Sequence, residues 1–148
     1  MQARDPRYQK LIEPARMALA QKHRSLSEGG GGFTPIPHAI YREIMPELTA
    51  KYDGATARDA LTIYMYLQAH AHGKETNDFY MWAYPTVEQI RRDTGIHGDR
   101  IRPLVSVLET EGLVVTALVP WMGNVKKLYL PLYYPKTEES HIRDGTDS

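Results

Sequence analysis

Basic side chains coincide with a helical pattern of apolar residues over the segment 98–111. We expect Arg100, Arg102 and Ser106 to lie on the face of this helix that points away from its apolar residues. An arginine presented in this way can donate two hydrogen bonds to the O6 and N7 atoms of guanine in a major groove. The alternative is a solvated helix face on which Asp99 and Glu109 act as local partners of the arginines.

A second basic group lies close to a predicted hairpin tip. Lys126 and Lys127 follow Asn124 and the ring of Trp121. Two lysines beside a hairpin tip can contact phosphates or enter a minor groove. The alternatives are that the lysines protect an edge strand from aggregation and that Trp121 covers the edge of the core.

The helix that precedes residue 98 offers further candidates. Thr86 and Gln89 have the spacing of a capping box, and the same residues could present a helix N-terminus to a phosphate. Arg91 and Arg92 point about 100° apart, and we take Arg92 as the one that faces solvent or DNA, with an ion pair to a neighbouring carboxylate as the alternative. His97 in the following turn is either a contact to phosphate or base, or a surface turn residue.

These side chains need a particular order of elements to position them. A capped helix beginning near Thr86 ends at Gly95, and the helix 98–111 ends at Gly112-Leu113. Two β-like runs, 113–119 and 125–134, are joined across Gly123-Asn124. Pro131 lacks an N–H, so we expect it at an edge or beyond the paired ladder. The order helix, turn, helix, hairpin predicts an α+β, mainly α fold, a winged helix-turn-helix with a C-terminal β-hairpin wing.

Upstream, the sequence predicts two more helices and a short strand. The stretch 37–45 has isoleucines four residues apart, and Pro46 is expected to end or kink that helix. Thr56 and Asp59 resemble a capping box for a longer helix that stops at Gly73. The aromatic run FYMWAY (79–84) is expected to pair with the wing strands.

Residues 1–32 are expected to form a helical arm with a Gly-rich linker. Asp5-Pro6 can begin a helix, Pro14 should break or restart it, and Gly29–Gly32 forms a flexible joint. The arm could serve dimerisation, contact the DNA backbone or remain partly disordered. Residues 33–135 would then be the winged-helix domain, and 136–148 a disordered acidic tail.

The formal net charge of zero conceals an uneven distribution. Residues 1–32 have six Lys and Arg against three Asp and Glu, a net +3, and residues 33–113 have eight against eleven, a net −3. Residues 114–136 have three against none, a net +3, and residues 137–148 have one against four, a net −3. Local basic patches set a phosphate footprint, so neutrality does not exclude a nucleic-acid partner.

The pattern of residues 33–135 is similar to the winged-helix N-terminal domains of plasmid and phage replication initiators from Gram-positive bacteria. The RepA-type initiators and the DnaD-like replisome organisers are the nearest groups. The similarity rests on FTPIP at 33–37, YPTVEQI at 84–90, LETEGLV at 108–114 and GNVKKLYLPLYYP at 123–135. It implies origin binding, often as a dimer, with a DNA-binding helix at 98–111 and a wing at 121–127. Pro103 departs from the pattern, and many such initiators have a further C-terminal domain, so the chain is either a fragment or a standalone relative.

No signature of catalysis or of a cofactor is found in the sequence. Cysteine is absent, GGGG lacks the Lys and Ser/Thr of a phosphate-binding loop, and no G-x-S-x-G occurs. His70 and His72, two residues apart on a helix, point in different directions, which argues against a metal site. We expect no enzyme, no cofactor, no metal and no membrane segment, and a bacterial cytoplasmic location.

The sequence therefore predicts a DNA-binding protein of the replication-initiation type. It would bind double-stranded DNA sequence-specifically, as a homodimer formed through the arm or the core. A transcriptional regulator with the same fold is one alternative. A winged helix that assembles protein complexes without DNA is the other, and the acidic stretch 33–113 favours it.

Overall fold

The computed structural model describes residues 5–27, 29 and 31–135, and the chain divides into two units, Met1–Pro35 and Ile36–Ser148. In the first unit a 3-10 turn, Pro6–Leu11, leads into helix α1, Ile12–Leu26. The Asp5 carboxylate caps the turn by accepting a hydrogen bond from the N–H of Arg7 at 2.9 Å. Pro14 is the third residue of α1, and the change from 3-10 to α-helix comes two residues before it, at Ile12, so the chain neither breaks nor restarts at Pro14 itself.

The helices of the first unit bury none of their described residues. Their large apolar side chains are about half exposed or more: Tyr8, Leu11, Met17, Leu19 and Leu26. Packing within this unit therefore does not cover its apolar face. The predicted acidic tail, 136–148, lies outside the described residues.

The second unit begins differently from the prediction. A π-helical turn, Ile40–Ile44, continues into α2, Met45–Lys51, and Pro46 lies in the first turn of α2. The π-helical segment ends at Ile44, two residues before Pro46, and the backbone continues as an α-helix, so Pro46 lies where one helix type changes to the other.

Helix α3, Gly54–His70, starts and stops earlier than predicted. Its N-cap is Asp53, whose carboxylate accepts from the N–H of Thr56 at 2.7 Å. The predicted capping box of Thr56 with Asp59 is therefore wrong. Gly73 is not the helix stop, because the chain leaves α3 at Ala71, which has an extended conformation.

Two shorter helices follow as predicted. The capping box of α4, Val87–Thr94, is present, and Gly95 ends the helix with a φ of 75°. Helix α5, Gly98–Thr110, continues through Pro103. It ends in a Schellman arrangement in which Gly112 has a φ of 75° and the N–H of Leu113 donates to the carbonyl of Leu108 at 2.8 Å.

One hydrophobic core joins α2, α3, α4, α5 and the hairpin. Tyr64 of α3 lies at its centre with no exposed surface, and its hydroxyl donates to the carbonyl of Leu132 at 2.6 Å. This bond holds the end of the hairpin on α3. The expected core residues of α5 are all buried: Ile101, Leu104, Val105 and Leu108.

A polar cluster joins α2 to the end of α5. The Glu111 carboxylate accepts hydrogen bonds from the Lys51 ammonium and from the Tyr52 hydroxyl, each at 2.7 Å. The bond from Lys51, followed by that from Tyr52, holds the pKa of Glu111 below its ordinary value. Folding therefore favours the ionised carboxylate.

Strands β1, Val114–Trp121, and β2, Asn124–Pro131, form an antiparallel hairpin. The turn consists of Met122 and Gly123, with φ of 47° and 81°, so its predicted position at Gly123-Asn124 is wrong by one residue. Pro131 pairs with Val114 at the end of the ladder, as expected for a residue without an N–H. The run 79–84 pairs with the β1–β2 hairpin only through one bridge, Ala83 to Tyr129.

The architecture is thus mainly helical, with one two-stranded antiparallel sheet in the described part of the chain. Among those residues, none of the helices has both the length and the apolar character needed to cross a bilayer.

Candidate nucleic-acid interface

A cleft of about 300 Å³ lies where β2, the start of α4 and the first half of α5 converge. Three cations line it, Arg102 of α5 with Lys126 and Lys127 of β2, and the described residues around it include no carboxylate. A cleft lined by one sign of charge concentrates the electric field and favours an anion. The remaining lining residues are Tyr84, Pro85, Thr86, Val87, Val125 and Tyr129.

The cleft forms where strand pairing stops. Ala83 and Tyr129 exchange two backbone hydrogen bonds of 2.8 Å, which brings the segment before α4 against the outer edge of β2. The chain then turns into α4 instead of continuing the pairing. Backbone groups alternate along a strand, so Val125 and Lys127 direct theirs to the same outer edge as Tyr129. The cleft lies along this part of the edge.

The side chains of Thr86 and Gln89 form the capping box of α4. The Thr86 hydroxyl accepts from the N–H of Gln89 at 3.1 Å, and the Gln89 amide oxygen accepts from the N–H of Thr86 at 2.7 Å. The N–H groups of Val87 and Glu88 belong to the first turn, which has no intrahelical acceptors. Only Thr86 of the capping pair lines the cleft, because Gln89 faces a different cavity.

Arg102 reaches the cleft from the flank of α5 that faces the β1–β2 hairpin. Its side chain is exposed, and its charge acts on Tyr129. Burial raises the pKa of the Tyr129 hydroxyl; the nearby Arg102 charge opposes that rise and the Glu109 charge adds to it. Tyr129 therefore remains a neutral, largely buried floor beneath a cationic surface.

The two lysines have different surroundings because neighbouring residues on a strand point to opposite faces. The Lys126 ammonium lies 3.9 Å from the ring centre of Trp121, 4.0 Å from that of Tyr84 and 5.7 Å from that of Phe79. These distances are within the range of cation–π attraction, so Lys126 is held in an aromatic cage. Lys127 is exposed, with its ammonium 5.5 Å from the ring centre of Tyr129.

Arg100 lies apart from the cleft, and the expectation that it shares a face with Arg102 is wrong. Two residues on a helix are about 200° apart, so the arginines point to opposite flanks. Arg100 forms a hydrogen-bonded ion pair with Asp59 of α3. Neither Asp99 nor Glu109, its expected local partners, makes that contact.

The other candidates are scattered over the same unit. The Arg92 guanidinium lies 3.6 Å from the Asp93 carboxylate, which matches the alternative of a surface ion pair. His97 is the N-cap of α5, and its Nδ1 accepts from the N–H of Asp99 at 3.2 Å. Ser106 is exposed on α5, and Asn124 is exposed at the first position of β2.

A second cavity, of about 250 Å³, lies on the other side of Tyr84 and Pro85. Inside it the Tyr66 hydroxyl donates to the Asp93 carboxylate at 2.7 Å, and the Tyr66 ring lies 4.2 Å from that of His70. Burial, together with the bond to Asp93, raises the pKa of Tyr66 to about 12. Within residues 5–27, 29 and 31–135, no group of three or more His, Asp or Glu side chains is placed to hold a metal ion.

The sequence interpretation missed the aromatic cage. Phe79 and Tyr84 were assigned to a strand, whereas their rings pack around Lys126, and the Tyr84 ring also stacks on His72 at 4.9 Å. The available signal was the aromatic run 79–84, predicted to lie beside the strand that contains Lys126.

Comparison with known proteins gives no match: no protein-family model, no curated protein and no solved structure is significantly similar to this chain. The similarity to replication initiators therefore remains a prediction from the sequence.

Proposed function

We propose that residues 36–135 form a winged helix that binds double-stranded DNA through the cationic cleft. The observation that carries the proposal is the convergence of Arg102, Lys126 and Lys127 on one cleft with no carboxylate among its described lining residues. DNA presents a regular series of phosphates, and their neutralisation supplies most of the affinity of non-specific complexes.

The order of elements supports the winged-helix assignment. Helix α3, the Ala83 bridge, helices α4 and α5 and the β1–β2 hairpin follow one another along the chain. In a winged helix the strand before the second helix pairs with the wing, and the bridge between Ala83 and Tyr129 corresponds to that pairing. The fold alone does not determine function, so the proposal depends on the cleft.

The distribution of charge favours contacts to phosphates over contacts to bases. Asp99, Pro103 and Ser106 point away from the core side of α5, and none of them is cationic. Arg100, one of the two arginines expected to read guanine, is paired with Asp59. We accordingly assign affinity to the cleft. Sequence-specific origin binding in plasmid or phage replication rests on the sequence similarity, as does the alternative of transcriptional regulation.

Selection of bound duplexes from a random pool tests both the affinity for DNA and the sequence specificity. Binding of the starting pool at low salt, weakening steeply as salt is added, is the result expected for the cleft. Enrichment of a consensus with two half-sites would indicate that the protein binds a specific sequence and does so as a dimer. A chain that retains no duplex at low salt would contradict the proposal.

The exposed apolar residues of α1 favour a second candidate, assembly with another protein chain, and a homodimer through the arm is its simplest form. Burial of the face that contains Leu11 and Leu19 against a partner helix would stabilise the dimer by about 25 cal/mol for each Å² of apolar surface removed from water. Light scattering of the wild type and of Leu19→Glu measures this directly. A dimer that becomes a monomer in the variant supports the arm, and a wild-type monomer at high concentration contradicts it.

A further inference from the structure

The hairpin tip combines a large apolar side chain with an unfavourable backbone. Met122 is 87% exposed, the highest value among the exposed large apolar residues of the described chain. It has a φ of 47°, in the left-handed region. Asn, Asp and Gly are the usual residues at the first central position of such a turn, because a longer side chain is strained there.

The base of the tip is held by strand pairing and by ring contacts. Trp121 precedes Met122, pairs with Asn124 across the hairpin and forms one wall of the aromatic cage around Lys126. Its ring also lies 5.8 Å from that of Phe79. Trp121 is thus anchored on one side while 44% of it stays exposed, and Met122 projects beyond it.

The tip lies along the same strand as the cationic cleft. Three residue steps separate Lys126 from Gly123, which at the rise of a β-strand is about 10 Å. The minor groove of B-form DNA is about 7.5 Å deep. Lysines that rest on phosphates at the rim would therefore allow the tip to reach the base edges. The described residues 114–135 include no acid to oppose that approach.

We propose that Met122 is a wedge that enters the minor groove of duplex DNA and opens a base step while the cleft holds the adjacent phosphates. Apolar side chains inserted in this way unstack a step and bend the duplex towards the major groove. The partner is double-stranded DNA with a flexible pyrimidine–purine step, where unstacking costs least. This inference rests on the proposed function of the cleft.

The test uses a duplex of about 30 base pairs with TA and CA steps, in which 2-aminopurine replaces one adenine at a TA step. Fluorescent dyes at its two ends report bending. For the wild-type chain at low salt we expect at least a roughly twofold rise in 2-aminopurine emission and a shorter end-to-end distance. Met122→Asn should bind with the same salt dependence but lose most of both signals, because Asn adopts the same backbone without the apolar side chain.

Two further variants make the result decisive. Leu118→Asn is the matched control, since Leu118 is 69% exposed on the same hairpin but lies away from the turn, and it should retain both signals. Met122→Gly also suits the turn and should behave as Met122→Asn.

The outcomes separate the two proposals. Salt-dependent binding of the wild type without a change in emission or distance would overturn the wedge and leave the cleft standing. Signals that persist in Met122→Asn would also overturn it. If the wild type fails to bind at low salt, both proposals fall.

Discussion

The different surroundings of Arg102 and Arg100 allow the sharpest test of the cleft. The two arginines lie two residues apart on α5, yet Arg102 lines the cleft and Arg100 pairs with Asp59. We therefore expect Arg102→Gln to weaken duplex binding and Arg100→Gln to leave it nearly unchanged. The same substitution on the same helix makes each variant the control of the other.

The magnitude follows from the number of cations in the cleft. Each phosphate that is neutralised contributes about 0.9 to the slope of log affinity against log salt, so three cations contribute a slope of about −2.7. A fourfold increase in salt should then weaken wild-type binding about 40-fold through the cleft. Without Arg102 the slope becomes about −1.8 and the loss about 12-fold.

Fluorescence anisotropy of a labelled duplex across a salt series measures these slopes. Urea unfolding of both variants checks that the comparison is fair, because loss of the exposed pair with Asp59 should cost no more than about 1 kcal/mol. Equal slopes for the wild type and Arg102→Gln would refute the assignment of Arg102 to the phosphate contact. A shallower slope for Arg100→Gln alone would instead assign the phosphate contact to Arg100.

Three further predictions concern the frame that holds the cleft. Tyr64→Phe removes the part-buried hydrogen bond to the carbonyl of Leu132, together with the bond that the same hydroxyl accepts from Gln68, and should lower the free energy of unfolding in urea by about 1–3 kcal/mol; an unchanged midpoint would contradict these bonds. The lowered pKa of Glu111 stabilises the fold at pH values above the ordinary pKa of 4.5, so the free energy of unfolding of the wild type should exceed that of Glu111→Gln at neutral pH. This difference should shrink as pH falls through the lowered pKa, and a difference that does not depend on pH would refute the reasoning. Gly112→Ala should cost about 1 kcal/mol or more because φ is 75°, whereas Gly73→Ala, at a glycine with ordinary φ and open surroundings, should be nearly neutral in the same thermal melts; equal melting temperatures would contradict the Schellman ending.

Sequence patterns predict the beginning and the end of a helix correctly where the contacts that decide them are local. The capping box at Thr86, the end of α4 at Gly95 and the end of α5 at Gly112 each depend on residues within one helical turn, and each is confirmed. The core face of α5 also followed from its helical period. The predicted start of α3 was wrong because two local capping arrangements were available there. Thr56 could pair with Asp59 or with Asp53, and in the structure Asp53 caps the helix.

The candidate site was less predictable because it depends on distant partners. Nothing near Arg100 in the sequence indicates that Asp59, 41 residues earlier, would hold it. Likewise nothing near Lys126 in the sequence indicates that Tyr84 and Phe79, from the segment before α4, would surround its ammonium group. A charged side chain is identified as available only when the surfaces packed against its element are known.

The displaced turn shows how Pro131 and the bridge to Ala83 favour one register of the β1–β2 hairpin. A two-residue turn at Gly123-Asn124 would pair Pro131 with Thr116, inside the ladder. With the turn at Met122-Gly123, Pro131 pairs with Val114 at the end of the ladder, and Tyr129 is placed opposite Thr116 with its outer edge on Ala83. A proline is best tolerated at the end of a ladder, and the bridge to Ala83 adds two hydrogen bonds, so both favour this register. This register requires a positive φ at Met122. The strained backbone at the hairpin tip is thus a local consequence of the same strand pairing that forms the cleft.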